Sequence, residues 1–333
     1  MLADDILVAK MSNYSGAGME RLFKDIRSAH RFALDQNFAA AADELKFSNP
    51  SAFEKALPLC KLPFDLCWFE TAQQYRDSFI NGEHFPGLDE TIKRVGVLLE
   101  NRKDADGWIM HLGWSTEDGR AFLSTRALSV DFSAPGALQP LQPAVWDYVD
   151  ATGGRPSHQG EDLAAYIRME RRCSHMDSTY HREYLASLSQ TPSGVALKAE
   201  LDQYAAKDWM GEPLFWLAAL ALLNSRNIVA METTDFAGLN KARRKKKQTE
   251  LLSYTTCKVS LRFGTRVARG QSASDGKSPI RAHFVRGHFK VRKSGIFWWS
   301  PFLRGDKDAG MVMKNYELLG SKKAGSSDTL LTS

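Results

Sequence analysis

The sequence predicts an α+β protein, and three observations carry that prediction. Residues 19–46 place apolar side chains at three- and four-residue steps, residues 92–130 alternate in strand-turn-strand fashion, and residues 239–305 are short β-type runs dense in Lys and Arg. The expected arrangement is a helical and antiparallel-sheet N-terminal body, a helical middle and a small basic β-rich C-terminal module. With 333 residues, 43% hydrophobic and 25% charged, the chain can bury a real core. The same composition excludes a disordered, collagen-like or disulfide-stapled chain.

In chain order, Met19, Leu22, Phe23, Ile26, Ala29, Phe32 and Ala33 predict one amphipathic helix over 19–46. Ser48-Asn49-Pro50 stops it and starts a shorter helix over 51–57 that ends at Pro58. Leu62 to Glu70 is mostly apolar and fits a buried strand. After the turn-rich stretch 81–89, Ile92 to Glu100, Trp108 to Trp114 and Arg120 to Val130 predict an antiparallel meander, with a hairpin turn at 115–119. These elements make up a first region, 1–133. Pro and Gly cluster over 134–160, the expected linker or long loop.

Residues 161–238 read as a helical region. Glu161 to Leu188 is polar, 196–225 ends in the apolar run Leu214 to Leu223, and Asn227 to Met231 is a short strand. In the basic module 239–305, Leu239 to Lys247 is a loop or helix end and Leu251 to Phe263 a strand. A Gly/Ser-rich loop follows over 268–280. Phe284 to Val291 and Ile296 to Ser300 then form a hairpin turning at Lys293-Ser294-Gly295. The tail 306–333 is expected to be partly disordered.

Several classes drop out early. A membrane span needs about 20 consecutive apolar residues, and the best run, Leu214 to Leu223, stops well short of that. Met1 to Met11 carries Asp4 and Asp5 and lacks the basic start of a secretory signal. Cys60, Cys67, Cys173 and Cys257 have no framework spacing, so reduced thiols in a cytoplasm are expected. There is no phosphate-loop, dinucleotide, zinc-protease or nucleophile-elbow motif, and no cofactor is expected. Cys173, His175 and His181 are the one tight Cys/His group; on a helix Cys173 and His175 diverge by about 200°, so no metal site is expected.

The charge is unevenly spread. Residues 241–304 hold 17 Lys or Arg against Glu250 and Asp275, while residues 1–240 carry a formal charge of −10. An acidic body joined to a basic module points to a polyanion partner, because neutralised phosphates release condensed counterions. The alternative is that the basic face docks on the acidic body of the same protein or of its dimer mate. Within the module, 283–292 read as one strand puts Phe284, Arg286, His288, Lys290 and Arg292 on one face. Cations for phosphates, an aromatic for a base and an imidazole titrating near neutrality suit a phosphodiester. Gly287 suits either a close backbone approach or a bulge. Arg281, Trp299 and Arg304 flank this strand, and Lys241, Arg243, Arg244 and Lys245 form a second cationic run beside Asn240.

Three blocks carry a resemblance: Leu220 to Val229, Leu239 to Lys246, and His283 to Lys290 followed by Trp299 and Pro301. Together they resemble a family of phage and mobile-element proteins that includes a type V-A anti-CRISPR protein. The similarity spans roughly 220–305. It implies a protein of the bacterial host cytoplasm that lowers production of a target through translation-dependent loss of its mRNA, with RNA, the ribosome or a nascent polypeptide as partner. It marks Arg286, Gly287 and His288 as a central cluster, with Asn240, Lys241 and Arg244 as a second. Two further expectations stand beside it. One is a metal-independent ribonuclease using His288, with His283, as general acid and base. The other is a DNA-binding or structural phage protein using the same basic face.

Overall fold

The computed structural model describes residues 1–8, 17–48, 50–77, 92–103, 105–133, 165, 168–169, 172–208, 212–225, 229–259, 266–267, 281–285, 288–292, 295–299, 302–304 and 306–312. The architecture is α+β, built on a large mixed sheet. The chain divides into two compact units, one of 1–261 with 289–299, the other of 262–288 with 300–333.

In the larger unit the elements run α1 (Leu2–Val8), α2 (Ala17–Ser28), β1 (His30–Leu34), α3 (Gln36–Ser48), α4 (Pro50–Glu54), β2 (Leu66–Ala72), α5 (Gln74–Asp77), β3 (Ile92–Asn101), β4 (Gly107–Thr116) and β5 (Ala121–Asp131). Then follow β6 (Cys173–Asp177), α6 (Arg182–Leu188), α7 (Pro192–Asp208), α8 (Glu212–Leu223), β7 (Val229–Thr234), α9 (Ala237–Lys245) and β8 (Tyr254–Val259). Eight strands form one sheet in the order β6-β5-β4-β3-β2-β1-β8-β7. β1 is parallel to both its neighbours, β2 and β8. All other pairs in this sheet are antiparallel.

One face of this sheet supplies Phe32, Phe69, Val97, Leu99, Trp108, Met110, Leu128, Val130 and Cys257 to the main core. α8 lies in that core with all twelve residues buried, and Trp216 Nε1 donates to Glu212 Oε2 at 2.8 Å. The opposite face packs α1 and α2 through Leu2, Ile6, Leu22 and Ile26 against Trp68 and Leu98. Gly96 and Gly113 are cross-strand partners there. A Cβ at Gly96 would stand 2.8 Å from the Trp68 ring, and one at Gly113 3.2 Å from Ile6, so both glycines make room for the indole and α1. Glu70, wholly buried beside Trp68, accepts from the Leu2 and Ala3 amides, Trp68 Nε1 and Arg94 Nη1 at 2.9–3.2 Å.

β11 (His288–Arg292) and β12 (Gly295–Trp299) pair with each other, while the first residues of the expected hairpin, Phe284 and Val285, belong to a different strand. Phe289, Val291 and Ile296 join the main core. Gly295, at φ +139°, supplies the left-handed backbone that closes the turn. The smaller unit holds β9 (Arg266–Val267), β10 (Arg281–Val285), β13 (Phe302–Arg304) and β14 (Asp306–Val312), in sheet order β14-β10-β13-β9.

Two expectations are corrected. The helix expected over 19–46 is interrupted by β1, because Phe32 and Leu34 alternate into the core while the backbone is held by strands on both sides. Arg31 reinforces the break: its Nη1 donates to the carbonyls of Ile26, Arg27 and Ala29, closing α2. The helix expected over 161–188 contains β6, which pairs with β5. α9 and β8 belong to the larger unit, which passes to the smaller one after residue 261. Within the tail, 306–312 form β14, paired parallel to β10. The expected linker 134–160 lies outside the described residues.

Candidate nucleic-acid interface

The cationic run that reads as a loop or helix end is α9 and its terminus. Its start is fixed by Asp235, whose Oδ1 accepts from the Ala237 amide at 3.1 Å and the Ser253 hydroxyl at 2.9 Å. Asn240 is buried, and its amide donates to the Leu251 carbonyl and accepts from the Leu251 N–H, both at 2.8 Å. Asn240, one of the expected binding residues, thus holds the helix to residue 251. Leu252 N–H donates to Asp4 and the Ser253 carbonyl accepts from Arg31 Nε, so the segment under α9 is tied to α1 and β1.

At about 100° per residue, Arg243 and Arg244 fall near the buried side of Asn240, whereas Lys241 and Lys245 point away. The contacts follow that geometry. Arg243 Nε donates to the Thr249 carbonyl at 2.6 Å, and Arg244 Nε lies 3.6 Å from Glu250. Among the described residues no carboxylate pairs with Lys241, Lys245, Lys246 or Lys247, and all four are exposed.

The helix ends in a Schellman motif. Gln248 N–H bonds to the Arg243 carbonyl and Lys247 N–H to the Arg244 carbonyl, with Lys247 at φ +53°. Basic residues in a last turn also offset the helix dipole. Six cations in the seven positions 241–247 exceed what that offset uses.

Phe236 caps the start of α9, and its ring centroid lies 6.0 Å from that of Tyr254 at the head of β8. Both rings are half-buried. Sequence reasoning passed over this aromatic pair. The available signal was Phe236 standing five residues before the basic run. Lys258 on β8 contacts Glu232 Oε2 at 2.5 Å; the contact raises the lysine pKa and lowers that of the carboxylate.

Of the expected central cluster Arg286, Gly287 and His288, only His288 lies within the described residues. His283, in β10, is in register with Arg304 of β13 and Val312 of β14. His288 opens β11, which pairs with β12 in a different sheet. The single strand expected over 283–292 is therefore two, and His283 and His288 do not share a strand. Arg286 and Gly287 lie outside the described residues. Arg281 is in register with Asp306, and Trp299 ends β12. On β11, Lys290 is half-buried and Arg292 exposed.

The charge division changes with the packing. The smaller unit carries 11 Lys or Arg against five Asp or Glu, which leaves the larger unit at a formal −1. The acidic sequence of residues 1–240 is thus nearly neutralised by α9, β8 and β11 within its own unit.

Cys173 and His175 stand in β6 rather than on a helix. Among the described residues no group of three or more His, Cys, Asp or Glu is gathered as a metal site, and no helix is long and apolar enough to cross a membrane. Two other histidines are deeply buried. His111 lies with Nδ1 3.3 Å from Ser178 Oγ and its ring 4.6 Å from that of Tyr180, whose hydroxyl donates to Asp25 at 2.9 Å. Burial pushes His111 down to about 3, with His181 and Arg21 adding to the shift. Burial alone pushes His181 down to about 4.

Compared with protein-family models, curated proteins and solved structures, the chain matches none.

Proposed function

We propose that this protein is an accessory regulator of the phage or mobile-element type that binds RNA and lowers expression of a target gene. The observation that carries the reading is α9, where four lysines without carboxylate partners among the described residues extend from a helix clamped at Asp235 and Asn240. Rigid placement lowers the ordering cost of binding, and exposed cations supply the salt-dependent attraction that phosphates feel. Phe236 and Tyr254 offer a partly open aromatic surface at the start of the same helix, the element a single-stranded base stacks on. The resemblance over 220–305 supports the same assignment and adds a protein target for the remaining surface, such as a nascent polypeptide.

The test is fluorescence anisotropy with single-stranded RNA and with duplex DNA of the same sequence at two salt concentrations. Replacing Lys241, Lys245, Lys246 and Lys247 together by Ala is expected to weaken RNA binding and to lower the salt slope by about 3. Unchanged affinity and slope would refute the role of α9. The bound RNA is then run on a denaturing gel after incubation with Mg²⁺ or EDTA. Intact RNA fits a regulator, shortened RNA moves the assignment to a ribonuclease, and preference for the duplex moves it to a DNA-binding protein.

A further inference from the structure

We propose that two copies of the protein join through β7, edge to edge, about a two-fold axis at Met231. β7 is a terminal strand of the eight-stranded sheet, and Ala230 to Thr233 are all exposed. Its pairing with β8 runs from Val229–Val259 to Thr234–Tyr254 without a register shift, so no bulge turns the edge away. The strand contains no Pro and no Lys, the residues that commonly guard such edges. Its one charge, Glu232, is matched by Lys258.

The backbone fixes which groups the edge offers. The Asp35 N–H donates to the Cys257 carbonyl at 3.2 Å, so the polar groups of Cys257 face β1. Cys257 is opposite Met231, which makes that a non-hydrogen-bonded pair, and the Met231 N–H and C=O therefore point to the open side. By alternation, so do those of Val229 and Thr233.

An antiparallel copy keeps both sheet faces continuous when the dyad falls on a residue. A dyad on Ala230, Glu232 or Thr233 leaves at least one of Val229, Met231 and Thr233 without an opposite residue inside the strand. With Glu232 opposite Glu232 of the partner subunit, like charges meet on the dyad, which destabilises the pairing. With Met231 opposite the partner's Met231, Val229 and Thr233 face each other in turn, giving about six backbone hydrogen bonds. This second register also sets Glu232 opposite the partner's Ala230, a small residue with Lys258 directly behind it on β8. Each Lys258 then stands between its own Glu232 and Glu232 of the partner subunit. Met231, 55% exposed in one copy, becomes the apolar centre. The backbone hydrogen bonds and the charges thus favour the same register, and the occupant that supplies both is a second copy of this chain.

The test uses full-length protein and disulfide trapping. The four native cysteines are buried, so an introduced thiol is the one presented at the surface. Facing residues of a hydrogen-bonded pair have Cα atoms about 5.5 Å apart, within the span of a disulfide. Met231→Cys is expected to give a covalent dimer on mild oxidation, at least ten-fold faster than Glu232→Cys. Mixing the single variants Ala230→Cys and Glu232→Cys should trap the mixed dimer. Sedimentation velocity of the unaltered protein should show a concentration-dependent dimer that Met231→Lys weakens at least ten-fold. A wild-type protein that sediments as a monomer at all concentrations, or Glu232→Cys crosslinking as fast as Met231→Cys, would overturn the proposal. Should Met231→Lys fail to fold, the cysteine comparison decides alone.

Discussion

α8 and α9 follow one another in the chain, with only β7 between them, and stand at opposite extremes. Every residue of α8 is buried, including Glu212, whereas α9 buries only Asn240 among its nine. α8 is held by apolar contact on all sides. α9 is held by two polar clamps, at Asp235 and Asn240, and turns its charge outward. The contrast separates residues that maintain the fold from residues that are free to meet something else. In α8 no side chain can be spared; the four lysines of α9 and its C-terminal turn, which have no carboxylate partner among the described residues, can be removed with little effect on packing.

The sharpest way to break this contrast is Phe215→Ala in α8. A cavity in a fully enclosed helix should cost about 3–5 kcal/mol in urea unfolding, while RNA affinity per folded molecule stays the same. If stability barely changes, α8 is not the centre of the core. Asn240→Ala should cost about 1–3 kcal/mol, because the Leu251 N–H and C=O lose both partners at once. Weakened RNA binding should accompany that loss, since α9 would no longer be fixed.

Acid tests burial without touching either helix. The folded pKa values of His111 and His181 lie below the ordinary value near 6.5, at about 3 and about 4. Their neutral forms are the ones the fold accepts, so their contribution is complete above about pH 6.5 and falls away toward pH 4 and below. Each should lower unfolding stability by about 1.4 kcal/mol per pH unit through that window. Chemical denaturation at pH 7 and pH 5 measures it, and equal stabilities would show that the two rings are solvated. The smallest expected effect is Lys247→Gly. Glycine adopts φ +53° without the strain a side chain incurs, so a gain of about 0.5–1 kcal/mol in thermal unfolding is expected.

Local pattern made part of this fold legible. β3, β4 and β5 are long, mostly apolar strands of ten or eleven residues, β4 and β5 turn at Gly119, and α8 is a continuous apolar run. β1 and β6 are five residues long, too short for a strand period to stand out from the helical spacing around it. What makes them strands is pairing with distant segments, as between Phe32 and Thr255. The same limit applied to the candidate site. Strand alternation over 283–292 suggested one cationic face, yet β10 and β11 take different sheets. The density of Lys and Arg over 241–247 was plain from the sequence. That Asn240 and Arg243 turn back to residues 249–251 depends on a helix end and a strand start that no local pattern displays.

The central position of β1 has a consequence in time. Arg31 contacts Ser253 across a sequence separation of 222 residues. During synthesis at about 5–20 residues per second, the side of β1 that will receive β8 stays open for about 10–45 s after β1 is made. Through that interval the nascent chain presents a strand edge flanked by Phe32 and Leu34, apolar and unpaired. A chaperone acting on this protein as it is made would therefore do its work at β1, and slowing the ribosome before residue 254 should lower the yield of folded protein.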